Sequence, residues 1–244
     1  MVQSLYRVME IVELFTNKEE QVRLNLSEIS ELRRLPLSTT HRMVGILMEY
    51  DYLKLNEETK KYSLGDKWMV EGLRQLGNHS LRSVAHPIMK EMSLELKESI
   101  YLSIPGKYSS TLIERLDSPA RVRVVDNLGD RFAMHLGAPN KVMLAFSTFE
   151  FVQDVLNYYG ETDQEEHYTR ELAQIKKLGY AISYGEITEG TIAIAAPILG
   201  MDDNVQGALC LNLIQHQVSD EYVESLISPI MKGAGKVSRR VGGK

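Results

Sequence analysis

An α+β protein in two parts follows from three features of this 244-residue chain. Apolar residues recur at helical spacing through roughly the first 50 positions, the period changes around a charged hairpin at 53–64, and beyond residue 99 short strands and helices interleave. The composition, 43% hydrophobic and 25% charged, is that of a folded globular protein. A chain of this length is expected to hold two domains or one large one. The reading places a small α-rich domain at 1–65, a helical linker at 66–79 and a mixed α/β domain at 80–244.

Each element has its own signal. Leu5, Val8, Met9, Val12, Leu14 and Phe15 predict a first helix over 4–16. A charged connection follows at 17–25. Ser27 is expected to cap a short helix whose inward positions are Ile29 and Leu32 and which ends near Arg34. Leu35-Pro36-Leu37 interrupts the pattern, because proline lacks an N–H and restrains the residue before it. A third helix then runs to about Tyr50, capped by Ser38 or the residue before it. Leu53, Leu55, Tyr62 and Leu64 flank the charged tip of the hairpin. Trp68, Met69, Leu73 and Leu76 mark a helix at 66–77, and Leu81, Val84, Ile88, Met92 and Leu96 mark a longer one at 80–97. Strands are predicted in IYLSI, STLIERL and VRVVDNL. Helices at 141–147, 148–158 and 165–178 then mix with strands at 180–185, 191–199 and 205–214, before a last helix at 220–239.

Charge and composition exclude several classes. No apolar run approaches the roughly 20 residues that cross a bilayer, so no membrane partner is expected. The N-terminus has no secretory pattern, and the single cysteine, Cys210, suits a reducing compartment. The expected address is the cytoplasm. The net charge is −5, and residues 1–66 carry nine cations against eleven acids. Any nucleic acid must therefore be met by a local basic surface rather than by a global field.

Such a surface is present in LSEISELRRLPLSTTHRMVGILMEYDYL. On a helical wheel Thr40, Met43, Val44 and Leu47 share the core side, while Ser38, Arg42, Gly45 and Glu49 lie opposite with Thr39 at the edge. Two hydroxyls, a guanidinium and a glycine in the first turns suit a recognition helix, whose N-terminal residues reach base edges. The candidate DNA contacts are Ser38, Thr39, Thr40, His41 and Arg42. Ser27 from the preceding helix and Lys54, Lys60 and Lys61 from the hairpin, as a wing on the phosphates, complete the set. Glu49 on the same face and the net acidity weigh against this reading.

The residues SLYRVMEIVELF, the helix-turn-helix stretch above and KYSLG resemble the winged helix-turn-helix domain of the IclR family of bacterial transcription regulators. GDRFAMHLGAPNKVMLAF, IKKLGYAISYGEITEGTIAIAAPIL and VQGALCLNLI are similar to that family's effector-binding domain, in the same order. The resemblance implies a GAF-like C-terminal domain. It implies a regulator, most simply a repressor, that binds double-stranded operator DNA as a dimer or a dimer of dimers and responds to a small-molecule effector.

Residues 80–244 show no convincing catalytic set, phosphate loop or metal spacing, so no cofactor and no enzymatic activity are expected. Cys210 lies in an apolar strand pattern, where a thiol behaves as a small hydrophobe. His135, near Asp126 and Asp130 in sequence, is weighed as a ligand and set aside, and Glu186 and Glu189 read as solvated loop acids. By motif position the resemblance implies an effector site at Ala138 and Pro139 of a loop, Ser183, Thr191 and Ala193 of the middle strands, and Cys210 and Asn212 of the late strand. Pro139 has no N–H to give, and Cys210 and Asn212 stand where hydroxyls are expected. The effector is accordingly expected to be larger or less anionic than a keto acid. The apolar helix at 66–77 needs a partner surface, either its own domain or a neighbouring subunit; the resemblance implies a dimer seam there. Alternatives from other classes are a ligand-sensing module acting through protein partners and a small-molecule enzyme with a helical appendage.

Overall fold

The computed structural model describes residues 3–16, 22–118 and 123–243. The chain forms two compact units, Met1–Asn78 and His79–Lys244. No helix among the described residues is long and apolar enough to cross a membrane.

The first unit closes on one core. Helix α1 (Gln3–Thr16) contributes Ile11, Val12 and Phe15, α2 (Leu26–Arg33) contributes Ile29, and α3 (Leu37–Glu49) contributes Met43, Val44 and Leu47. The start of α2 differs from the expectation. Asn25, not Ser27, is the cap: its side chain accepts the Glu28 N–H at 2.9 Å while the Glu28 carboxylate accepts the Asn25 N–H at 2.6 Å. This reciprocal box satisfies two backbone donors at once and outcompetes a cap at Ser27. Of the charged connection, residues 17–21 lie outside the described residues.

The turn into α3 is built by Arg34 in the left-handed conformation at φ 51°, a buried Leu35, and Pro36. Neither Ser38 nor Leu37 caps α3. Pro36 holds the N-cap position without a side-chain bond, and its carbonyl accepts the N–H groups of Thr39 and Thr40. Strands β1 (Leu53–Asn56) and β2 (Lys61–Leu64) pair antiparallel, and Leu24 bridges to Tyr62. Helix α4 (Lys67–Gly77) is attached through Trp68, whose Nε1 donates to the Tyr52 carbonyl at 2.9 Å, and none of its residues is buried.

In the second unit α5 (Ser80–Leu96) precedes β3 (Ile100–Pro105), β4 (Ser109–Leu116) and β5 (Arg131–Ala133). Helices α6 (Ala138–Ala145), α7 (Phe149–Tyr159) and α8 (Glu165–Leu178) follow, then β6 (Ala181–Tyr184), β7 (Thr191–Leu199), β8 (Val205–Ile214) and α9 (Asp220–Arg240). The six strands form one antiparallel sheet in the order β5-β4-β3-β8-β7-β6. Helices α5 and α9 pack on one face, at a point where Gly233 leaves room for Met92, while α6 and α8 pack on the other.

Two expectations are corrected here. Residues 123–128 form no strand, and residue 122 lies outside the described residues. Carbonyls of this segment are taken by side chains instead: Tyr101 Oη donates to Val124 O, and the Arg115 guanidinium donates to Asp126 O. The edge strand is the shorter β5. Helix α6 also begins three residues before the predicted position, so Ala138 and Pro139 belong to its first turn and not to a loop.

Candidate functional site

Two sites stand out, one in each unit. On α3 the burial pattern separates two faces. Thr40, Met43, Val44 and Leu47 are buried, whereas Ser38, His41, Arg42, Gly45, Ile46 and Glu49 are exposed. Thr40 is therefore removed from the candidate contacts, since it is 0% exposed and its hydroxyl bonds the Pro36 carbonyl at 3.2 Å. No hydrogen bond or ion pair to another side chain holds Ser38, His41 or Arg42 among the described residues, so these groups are available to an outside partner. Ser27 is exposed at the first turn of α2.

The wing cations are less free than the sequence suggests. Lys54 pairs with Asp66 at 2.7 Å, Lys60 with Glu57 at 2.8 Å and Lys61 with Glu28 at 3.8 Å. Exposed pairs of this kind are worth about 0–1 kcal/mol, so a phosphate can displace the acid. Arg34, exposed in the turn, is a further cation that no local sequence pattern marks as a contact. Its place became visible only with the left-handed turn that presents it beside α3.

The second site is a cavity of about 40 Å³ between the sheet and α6. Strand register builds it. Tyr101 lies opposite Cys210, Cys210 opposite Ala195, Asn212 opposite Ala193, and Ala193 opposite Ser183. Alternation of side chains along each strand then sends this whole set to the α6 face. Pro139, Ser183, Thr191, Ala193, Cys210 and Asn212 all line the cavity. Ala138 does not line it: it is 0% exposed, and its N–H is spent on Ser183 Oγ at 2.9 Å.

Of the two loop acids, Glu189 is exposed as expected, and Glu186 is not. Glu186 is not a solvated loop acid. One of its oxygens accepts the Gly137 N–H at 2.9 Å and the other meets Lys141 Nζ at 2.8 Å, which in turn pairs with Glu171 at 2.8 Å. Burial works against the Lys141 ammonium, but its bonds to Glu171 and Glu186 outweigh that and hold it above the usual lysine range. Gly137 permits the close packing of this loop: its φ is +82°, and a side chain there would meet Ile187. Asp126, expected in a strand, lines the cavity and accepts from Asn212 Nδ2 at 3.1 Å. Burial first, and the neighbouring charge of Asp130 second, raise its carboxyl above the ordinary range.

Cys210 is 2% exposed, and burial pushes its thiol far above the ordinary thiol value, so it lacks the thiolate a nucleophile needs. His135 sits among Tyr159, Tyr168 and Glu161. Among the described residues no group of three or more His, Cys, Asp and Glu side chains is arranged to hold a metal ion.

Residues 4–57 match the IclR helix-turn-helix domain, and residues 73–239 match the C-terminal domain of the bacterial transcriptional regulator IclR. The chain belongs to the IclR family. It is a transcriptional regulator with a helix-turn-helix DNA-binding domain. The HTH-type transcriptional regulator XynR of Escherichia coli K12 is 26% identical over 248 residues, spanning 99% of this chain and 98% of XynR. The fold matches that of an IclR regulator from Alicyclobacillus acidocaldarius with a TM-score of 0.80, at 22% identity and over 99% of this chain and 100% of that one. It also matches an IclR homologue from Microbacterium hydrocarbonoxydans, solved with 4-hydroxybenzoate, with a TM-score of 0.74, at 24% identity and over 97% and 99% of the two chains.

Proposed function

We propose that this IclR-family regulator docks α3 in the major groove of operator DNA, and that a small molecule in the cavity of the second unit tunes that docking. The observation that carries the reading is the division of α3. One face completes the core, and the opposite face offers unengaged Ser38, His41 and Arg42 with Gly45 beside them. Arginine pairs with guanine or phosphate, and the hydroxyls and imidazole bond either bases or backbone. Ser27, Thr39, Arg34 and the wing lysines Lys54, Lys60 and Lys61 serve as phosphate contacts around that centre. The regulator acts in the cytoplasm, without a catalytic step of its own.

The exposed apolar face of α4 is the dimer seam. Met69 is 60% and Leu73 64% exposed, and Trp68 and Val70 join them on an 11-residue helix. A two-fold dimer would set two α3 helices on half-sites about one helical turn, or a multiple of it, apart. The effector would act by its differential affinity for two arrangements of the dimer, typically 1–3 kcal/mol. Ser183, Thr191, Ala193, Cys210, Asn212 and Pro139 form its cavity, and Ala138 supports it from behind.

A gel-shift with the intergenic DNA beside the gene tests this reading. Specific binding that weakens steeply with salt is expected, as phosphate contacts require. Arg42→Ala should lower affinity by about 1–3 kcal/mol where the arginine reads a base. Salt-independent binding to a protein, with no DNA shift, would favour the reading in which the helical domain docks on protein partners.

A further inference from the structure

We propose that the cavity of the second unit takes a ligand carrying a protonated amine, with the Asp126 carboxylate as its counter-charge, and that it disfavours simple carboxylates. The inference rests on the reading of this cavity as the effector site and adds the chemical class of its occupant. Three observations carry it.

The first is the charge of the lining. Asp126 and Glu186 face the cavity, and no lysine or arginine does so among the described residues. The second is the state of the end that would attract an anion. The N–H groups of Gly137 and Ala138 at the start of α6 are already bonded to Glu186 and Ser183, and Pro139 has none. The nearest ammonium, Lys141, stands behind Glu186, held between it and Glu171 at 2.8 Å each. An incoming carboxylate thus finds one of these donors held by the Glu186 carboxylate and the other by the Ser183 hydroxyl. The third is the state of Asp126. Arg115 bonds the Asp126 carbonyl and the Asp117 carboxylate, not the Asp126 carboxylate. Among the described residues Asp126 is in no ion pair, and its side-chain hydrogen bond from Asn212 Nδ2 falls on Oδ2, leaving Oδ1 for a ligand donor.

The surroundings suit an ammonium group. Tyr101 and Phe132 also line the cavity, and aromatic faces attract a cation that has left water. Burial and Asp130 hold the Asp126 carboxyl above its ordinary range although the Arg115 charge and the Asn212 bond act the other way, a cost that a bound cation would relieve further. A space of about 40 Å³ admits little more than a small head group. Val124 and Asn212 also border a separate, more open cavity of about 380 Å³.

Calorimetric titration of the full-length protein with two matched pairs tests this: propylamine against propionate, and benzylamine against benzoate. The amine of each pair is expected to bind at least tenfold more tightly than the carboxylate. Asp126→Asn should weaken the amine at least tenfold, and Asp126→Glu should restore most of it. Thermal melting confirms that both variants fold. Ala193→Leu, which fills the cavity, should remove amine binding. Carboxylates that bind more tightly than amines and are blocked by Ala193→Leu would overturn the charge assignment and leave the effector site standing. Binding of neither class would also overturn the assignment. Amine binding that survives Ala193→Leu would place the ligand elsewhere, overturning both the assignment and the effector reading.

Discussion

Thr40 and Arg42, two residues apart on α3, are expected to respond to substitution in opposite ways. Thr40→Val removes the buried bond to the Pro36 carbonyl and should cost about 1 kcal/mol of stability, read by denaturant unfolding, while leaving the affinity of the folded protein for operator unchanged. Arg42→Ala should leave the melting temperature in place and weaken operator binding. Gly45 is a third case: a Cβ there meets no atom within 4 Å, so Gly45→Ala should raise stability by up to about 1 kcal/mol through helix propensity alone. A drop in melting temperature for this variant would show that the outward face is packed. His135 contributes a pH dependence. Burial lowers its pKa, with Glu161 acting the other way, so the folded state holds a neutral ring while the unfolded chain takes up a proton below pH ~6.5. The unfolded state then binds more protons, and stability is lost as pH falls through that range. Asp126, whose carboxyl is raised, has the opposite sign and gains stability as pH falls, so comparing wild type with His135→Phe isolates the histidine. The variant should flatten the slope of unfolding free energy between about pH 5 and 7.

At the level of elements, the two faces of α3 were legible because a 3.6-residue period places core and outward residues within one local segment. The spans of β7 and β8 were legible too, at 191–199 and 205–214, though not their pairing; in β7 small residues such as Ala193 and Ala195 alternate with Ile192 and Ile194. The acids were not. Glu186 meets the Gly137 N–H across 49 positions, and Asn212 meets Asp126 across 86. Such pairs depend on how sheet order folds the chain back on itself, and no local pattern records that. Caps were misread for a related reason: Ser27 and Asn25 carry the same preference, and only the returning Glu28 carboxylate chooses between them. The apolar face of α4 has a direct test. None of its residues is buried in its own unit, so Met69→Glu with Leu73→Glu should leave the unit folded, with effects within about 0.5 kcal/mol, the range of surface changes. Sedimentation should then show a dimer becoming a monomer; a double variant that stays dimeric would move the seam elsewhere.

For the whole molecule, the proposed DNA-reading face lies in one unit and the ligand cavity in the other. The cavity can tune operator binding only if that face meets DNA, which makes groove docking of α3 the central claim. Cys210 is the chain's single cysteine and is buried, so a cysteine placed at the exposed position 38 can be labelled selectively with an iron chelate that cleaves nearby nucleic acid. The measurement is the cleavage pattern on bound operator DNA from Ser38→Cys carrying that chelate. Two clusters of cuts are expected, centred about one helical turn or a multiple of it apart, one for each α3 of a dimer. Specific binding of the labelled protein with no cuts from position 38 would contradict groove docking of α3.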